Sequence, residues 1–353
     1  MTTTSASVLP DVAYLLGAGA SALTLPVVSK IGERIAIQKE WLVENRTTLP
    51  QGEIPNLAGL HHITAFETYK GIALAELSAI VDSHDSVDTY AKKLYFQGER
   101  TELRKLKATL TLFFAVEQYR NGLDRRYESF LASVMNRSAQ ESWPSITDRI
   151  SLLTWNYDQQ IAIALARFCK VDRLFELQRH YGIRSLSTLG ETAKRKFRVL
   201  HLNGIAGYNH QRDDYSCLST LTSSKMTAAL WTEWLRLFSL TYMADKFSGG
   251  PKMLLEYAWE SLDEYSDIPW DDVLGPLSGI KTLVVVGYSF PFFNREVDRK
   301  VIRSMPLQKV YIQTHKDSVN DALETFKSIR PDMVGDSVRG SGSTHQFLLP
   351  PEL

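Results

Sequence analysis

The chain has 353 residues, 44% of them hydrophobic and 23% charged, a globular profile long enough for roughly two domains or one domain with a large insertion. Lys plus Arg (40) balance Asp plus Glu (40), so net charge gives no pull toward nucleic acid or an acidic membrane, and no partner of either kind is expected. The only two cysteines, Cys169 and Cys217, form no CxxC pair, which excludes a zinc ribbon and fits a reducing cytoplasm.

The start, "MTTTSASVLPDV", lacks the basic and apolar regions of a signal peptide, and no apolar run nears the ~20 residues of a membrane span. The expectation is a soluble, cytoplasmic protein without a metal. The basic cluster "AKRKFR" (193–198) reads as a solvated face.

The first strong element is "VAYLLGAGAS" (12–21), an apolar run closed by Gly17, Ala18, Gly19, Ala20 and Ser21. An apolar strand feeding a glycine turn opens a doubly wound unit, and a helix is expected over 27–40. Residues 45–62 are polar and rich in Pro and Gly, so they read as loop. Amphipathic segments follow at 65–81, 99–120 and 123–136. In the second, Leu103, Leu106, Leu110, Phe113, Phe114 and Val116 mostly recur at helical spacing. Residues 41–145 therefore read as a helical module inserted between the first two strands, far longer than a usual βα connection.

Strands resume at 149–154, 197–202, 281–287 and 308–313, with a further one expected at 345–349. Helices are expected at 224–247, 252–262 and 293–304. Near-continuous apolar strands alternating with helices predict an α/β fold: a doubly wound, Rossmann-like parallel sheet over 8–350, interrupted by the large helical insertion at 41–145.

Four strand ends carry unusual residues: "GAGAS" (17–21), "TWNYD" (154–158), "HLNG" (201–204) and "GYSF" (287–290). In a doubly wound sheet these ends share one edge, where the ligand crevice lies. Each also has an ordinary reading. GxG can be a tight turn, Asn156 and Asp158 can cap the following helix, His201 can be structural, and Gly287 with Ser289 can form another turn.

In this order the four elements resemble the sirtuin family, and more closely the sirtuin-like NAD hydrolases of bacterial anti-phage defence. The matching residues are Gly17-Ala18-Gly19-Ala20-Ser21, Thr154-Trp155-Asn156-Tyr157-Asp158, His201 with Gly204, and Gly287-Tyr288-Ser289. The resemblance spans 12–313 without the helical insert. Three departures stand out. Leu202 and Asn203 separate His201 from Gly204; Pro26 is followed by Val27, Val28 and Ser29 where deacetylating sirtuins have Asp-Phe-Arg; and the zinc cysteines are missing. The last two speak against protein deacetylation and fit hydrolysis of the cofactor.

The resemblance implies cleavage of NAD, as substrate, to nicotinamide and ADP-ribose. Nicotinamide leaves neutral, so the enzyme must hold the ring, stabilise an oxocarbenium-like ribose and deliver water. Asn156 would orient the ribose hydroxyls or the water, Asp158 would grip the carboxamide, and His201 would serve as base. Gly17, Ala18, Gly19 and Ser21 would take the pyrophosphate through backbone amides, with Thr154 beside them. Gly287 and Ser289 would contact the adenosine ribose. Partners implied are a homo-oligomer or a companion defence protein such as a translocase-type ATPase. Two alternatives stand beside this reading. One is a non-catalytic NAD or ADP-ribose sensor or scaffold. The other is an NAD-dependent oxidoreductase, which needs an acidic strand end about 20 residues after the glycines, where "SKIGERIAIQKEWLVENR" reads instead as helix.

Overall fold

The computed structural model describes residues 10–45, 65–137, 142–171, 174–186, 197–209, 227–243, 251–262 and 270–353. Cys217, the first four residues of the basic cluster (193–196), and nearly all of the expected loop at 45–62 lie outside these residues.

Seven parallel strands form the central sheet. In chain order they are β1 (Val12–Leu16), β2 (Ile150–Thr154), β3 (Ile183–Ser185), β4 (Val199–His201), β5 (Thr282–Val286), β6 (Lys309–Gln313) and β7 (Val338–Ser341). Their spatial order is β7-β6-β5-β1-β2-β4-β3. β1, β2 and β5 are buried along their whole length, which is why the sequence shows unbroken apolar runs there rather than alternation.

Helices cover both faces, as a doubly wound α/β fold requires. Val12, Tyr14 and Leu16 of β1 face one core, shared with the helices of the insert and with Ala228–Tyr242. Ala13 and Leu15 face the other, shared with Arg295–Arg303 and Val319–Ile329. The described part of the insert comprises a helical run from Ala65 to Ser83, then Val87–Gln97, Arg100–Asn121 and Arg125–Val134. The sheet and these helices bear out the Rossmann-like architecture with its helical insertion.

Some local expectations fail for tertiary reasons. Residues 252–262 read as helix, yet Lys252–Leu255 is a strand paired antiparallel with Gly204–Asn209, and only a short 3-10 turn follows. A partner strand that leaves the main sheet just after β4 overrides the local preference. The strand expected at 345–349 is irregular; the edge position belongs to β7. That tail is held instead by Gln313, whose Nε2 donates to Ser343 O and Gln346 O while its Oε1 accepts from Leu348 N. β3 was not foreseen, since three residues carry too little pattern.

The chain order places the crevice. After β1 the chain builds β2, then the edge strand β3, and returns to fill the place between them with β4, all on one side, then crosses to β5, β6 and β7 on the other. The carboxyl ends of β1 and β5 are thus the topological switch point. There the backbones touch: Gly19 N donates to Gly287 O at 2.9 Å, and Gly17 N donates to Val286 O at 2.9 Å. A Cβ on Gly19 would stand 2.6 Å from Gly287 Cα, and one on Gly287 would stand 2.4 Å from Gly19 Cα. Gly287 also holds φ +61°, which disfavours any side chain.

Gly19 is therefore required by the packing of two strand ends. Sequence reasoning alone would have Gly19→Val weaken ligand binding in a folded chain. The structure gives a different outcome: Gly19→Val and Gly287→Ala each cost about 3 kcal/mol or more of stability, from backbone overlap and forced dihedrals. Thermal melts of the purified variants check this, and an unchanged Tm would show that the two turns do not touch.

Candidate functional site

A cleft opens over the switch point, with about 850 Å³ of empty space that includes open solvent at its mouth. Its walls include Ala18, Ser21, Trp155, Asn156, Tyr157, Asp158, Asn203, Gly287, Tyr288 and Ser289 from the sheet edge. Val87, Asp88, Leu110 and Phe114 come from the insert and close one side.

A hydrogen-bonded chain joins the first two motifs. Asn156 Nδ2 donates to Gly17 O at 2.9 Å and to Ser21 Oγ at 3.3 Å. Ser21 Oγ donates to Asp158 Oδ2 at 2.7 Å. Having only one proton, Ser21 must accept from Tyr127, whose hydroxyl lies 2.9 Å away. Asp158 Oδ1 accepts from Gln160 N at 3.0 Å. The helix-cap reading of Asp158 is thus partly true: one oxygen caps Gln160–Cys169 while the other reaches the glycine turn. Thr154 Oγ1 accepts from Asn156 N at 3.0 Å, which fixes the bend at the end of β2. With its NH₂ engaged, Asn156 has its Oδ1 left for a ligand.

Burial pushes the Asp158 carboxyl up to about 6, against the opposing bonds from Ser21 and Gln160. His201 is buried to 3% exposure and does not line the cleft. Its Nδ1 lies 3.2 Å from Asn156 O; because a carbonyl only accepts, Nδ1 carries the proton and Nε2 is bare. Burial pushes this imidazole down to about 4, so it is neutral at pH 7.

The structure therefore brings together Ala18, Ser21, Asn156, Asp158, Gly287 and Ser289 on one wall. Gly17, Gly19, Thr154 and His201 lie behind it. The expected pyrophosphate contact changes accordingly. The Gly17 and Gly19 amides already donate to Val286 and Gly287, while no such bond ties the Ala18 amide. Among these residues, Ala18 is the one whose amide suits an anion.

Several wall residues were missed from sequence. Trp155 and Tyr288 stack with ring centroids 5.7 Å apart, and the Tyr288 hydroxyl donates to Asp298 Oδ2 at 2.9 Å. Asn203, read as a departure within the His201 motif, lines the cleft and accepts the Ala258 amide at 3.0 Å. Asp88 lies in the helix Val87–Gln97, between the expected segments at 65–81 and 99–120 where no element was expected, so nothing there marked it out.

The chain matches no protein-family model and no curated protein. Among the described residues, no group of three or more His, Cys, Asp or Glu side chains is placed to hold a metal ion. No helix among them is long and apolar enough to cross a membrane.

Asp298, behind Tyr288, gives a test of this wall. Burial pushes its carboxyl from the ordinary 3.8 up to about 8. A raised carboxylate stabilises the fold below the unfolded value, and that contribution is lost as pH rises through the folded one. Between pH 4 and pH 8 stability should therefore fall by up to about 1.4 kcal/mol per pH unit from this group. Asp298→Asn should flatten that part of the stability curve. Denaturant titrations across the range check it; an identical slope in the variant would place the proton elsewhere.

Proposed function

We propose that the chain is an NAD glycohydrolase that cleaves the nicotinamide–ribose bond to nicotinamide and ADP-ribose. The observation that carries this reading is the junction of Asn156, Ser21 and Asp158 on one cleft wall at the switch point, directly beside the glycine turn. In this reading Asp158 meets the carboxamide, and Asn156 Oδ1 takes a ribose hydroxyl or the attacking water. The aromatic and apolar side, Trp155, Phe114 and Leu110, excludes bulk water and strengthens each polar contact. The Ala18 amide and Ser289 serve the phosphate and adenosine ends. The resemblance to anti-phage NAD hydrolases supplies the setting: NAD depletion in a cytoplasmic defence response, set off by a partner such as a companion ATPase or by self-assembly.

His201 takes a different role from the one its motif suggested. Off the wall and hydrogen-bonded to the Asn156 carbonyl, it positions Asn156 rather than meeting the substrate. The same observation is what favours the second reading, a sensor or scaffold that binds NAD or ADP-ribose without cleaving it.

Incubating the purified chain with NAD and measuring released nicotinamide separates the two readings. Release supports the hydrolase; ADP-ribose binding without release supports the sensor. Asn156→Ala should lower turnover about 10²-fold or more with a modest change in affinity, since an orienting amide acts mainly in the transition state. His201→Gln, which keeps a donor toward Asn156 O, should retain more turnover than His201→Ala. If Asn156 were only a structural turn residue, its variant would lose about 1 kcal/mol of stability and keep normal turnover.

A further inference from the structure

With His201 behind the wall, the proposed reaction lacks a base on the substrate's side, and two carboxylates line the cleft. Both oxygens of Asp158 are engaged, one by Ser21 Oγ and one by Gln160 N. The other carboxylate comes from the insert. Asp88 lies in the first turn of Val87–Gln97, which the Ser86 side chain caps by accepting from Thr89 N. Tyr157, the residue between Asn156 and Asp158, donates its hydroxyl to Asp88 Oδ1. The helix is tied across the cleft by Lys92 Nζ, which donates to Phe293 O at 3.2 Å. Phe114 backs the Tyr157 ring at 5.5 Å between centroids.

Resting on the reading above, we propose that Asp88 is the catalytic base of NAD cleavage, the carboxylate that takes the proton of the attacking water while Tyr157 holds it in place. The water oxygen bonds to ribose C1′, and the electron pair of the C1′–N bond goes to the pyridine nitrogen, so nicotinamide leaves neutral. The water proton goes to the Asp88 carboxylate and then to solvent.

The surroundings suit the task. The Tyr157 hydroxyl is bonded to Asp88, and no ion pair with a described Lys or Arg is seen there. Burial pushes its carboxyl up to about 6, against the opposing Tyr157 bond, which makes it a better proton acceptor than an ordinary carboxylate while leaving it ionised at pH 7. The helix start beside it favours that ionised form.

The test uses the full chain with NAD, following nicotinamide release together with calorimetric titration of ADP-ribose. Asp88→Asn should lower kcat by ~10²–10⁴-fold, with KM and ADP-ribose affinity within about threefold of the unaltered chain. Formate, a small exogenous base, should restore part of the turnover of Asp88→Ala. Tyr157→Phe should lower kcat less than Asp88→Asn does, because it loosens the base without removing it. Asp85→Asn, an exposed carboxylate just outside the same helix, should change nothing. Near-normal kcat in Asp88→Asn, with the unaltered chain active, overturns the proposal and leaves the hydrolase reading standing. Parallel loss of ADP-ribose affinity or of Tm in Asp88→Asn, without formate rescue, also overturns it and makes Asp88 an anchor or a structural residue. No nicotinamide release from the unaltered chain, at any concentration, overturns the hydrolase reading and this proposal together.

Discussion

The hydrogen bond from Gly19 N to Gly287 O is the constraint on which the rest of the site depends. It joins the turn after β1 to the turn after β5 with no room for a side chain on either. Once the turns are closed this way, Gly17 O faces Asn156 and Ser21 faces Asp158, so the polar chain of the cleft wall follows from a backbone contact. The turn after β5 carries two left-handed residues in four, Gly287 at φ 61° and the buried Phe290 at φ 54°. Such conformations cost about 1–3 kcal/mol at a non-glycine residue and persist only where surrounding packing enforces them. Here that packing is the Phe290 ring, set among Tyr288 and Phe326.

The insert holds the same turn from the opposite side. Arg126 Nη2 donates to Gly19 O at 3.1 Å and Ala20 O at 3.0 Å, and its Nη1 donates to Thr344 O at 3.2 Å. Asp124, fully buried, pairs with that guanidinium at 2.6 Å and accepts from Leu23 N as well. A buried ion pair offsets its desolvation only when its remaining donors and acceptors are satisfied, and this one is bonded on all sides by backbone. Tyr127, next in sequence, reaches Ser21. Asp124, Arg126 and Tyr127 together thus fix the first motif. The insert is a structural part of the site and not an appendage to the sheet.

The architecture was legible in the sequence because its signals are physical necessities. A strand buried on both faces must be apolar throughout, as "VAYLL" and "TLVVV" are, and the turn that lets two backbones touch must be glycine. The meeting of Ser21, Asn156 and Asp158 was legible for the same reason: parallel strands put their carboxyl ends on one edge. What stayed hidden is contact that depends on side-chain direction. His201 ends a strand like the others, yet its ring turns toward the Asn156 carbonyl, and a strand pattern does not encode that choice. The pairing of Gly204–Asn209 with Lys252–Leu255 is long-range, so "KMLLEYAWESL" read locally as helix. Asp88 was hidden because its helix, Val87–Gln97, fell between two expected segments, and an acid in a first helical turn is too common to single it out.

Three carboxyls surround the strand tip at residues 155–158: buried Asp158 on it, half-buried Asp88 bonded to Tyr157, and buried Asp298 behind Tyr288, which stacks on Trp155. All three sit above the ordinary carboxylate value, each chiefly through burial. In every case the folded state disfavours the ionised form, so the fold bears a cost at neutral pH that sheet and core packing must offset. A tip serving only to cap a helix would gain nothing from this arrangement, because an exposed Asp caps as well without the desolvation. Low dielectric strengthens the interaction of any one of these groups with a positive charge brought beside it. The substrate of the proposed reaction carries such a charge on its pyridinium ring and develops another on its ribose as the bond breaks. A wall costly to ionise when empty would be stabilised by a cationic ligand, which is the physical argument for the proposed substrate.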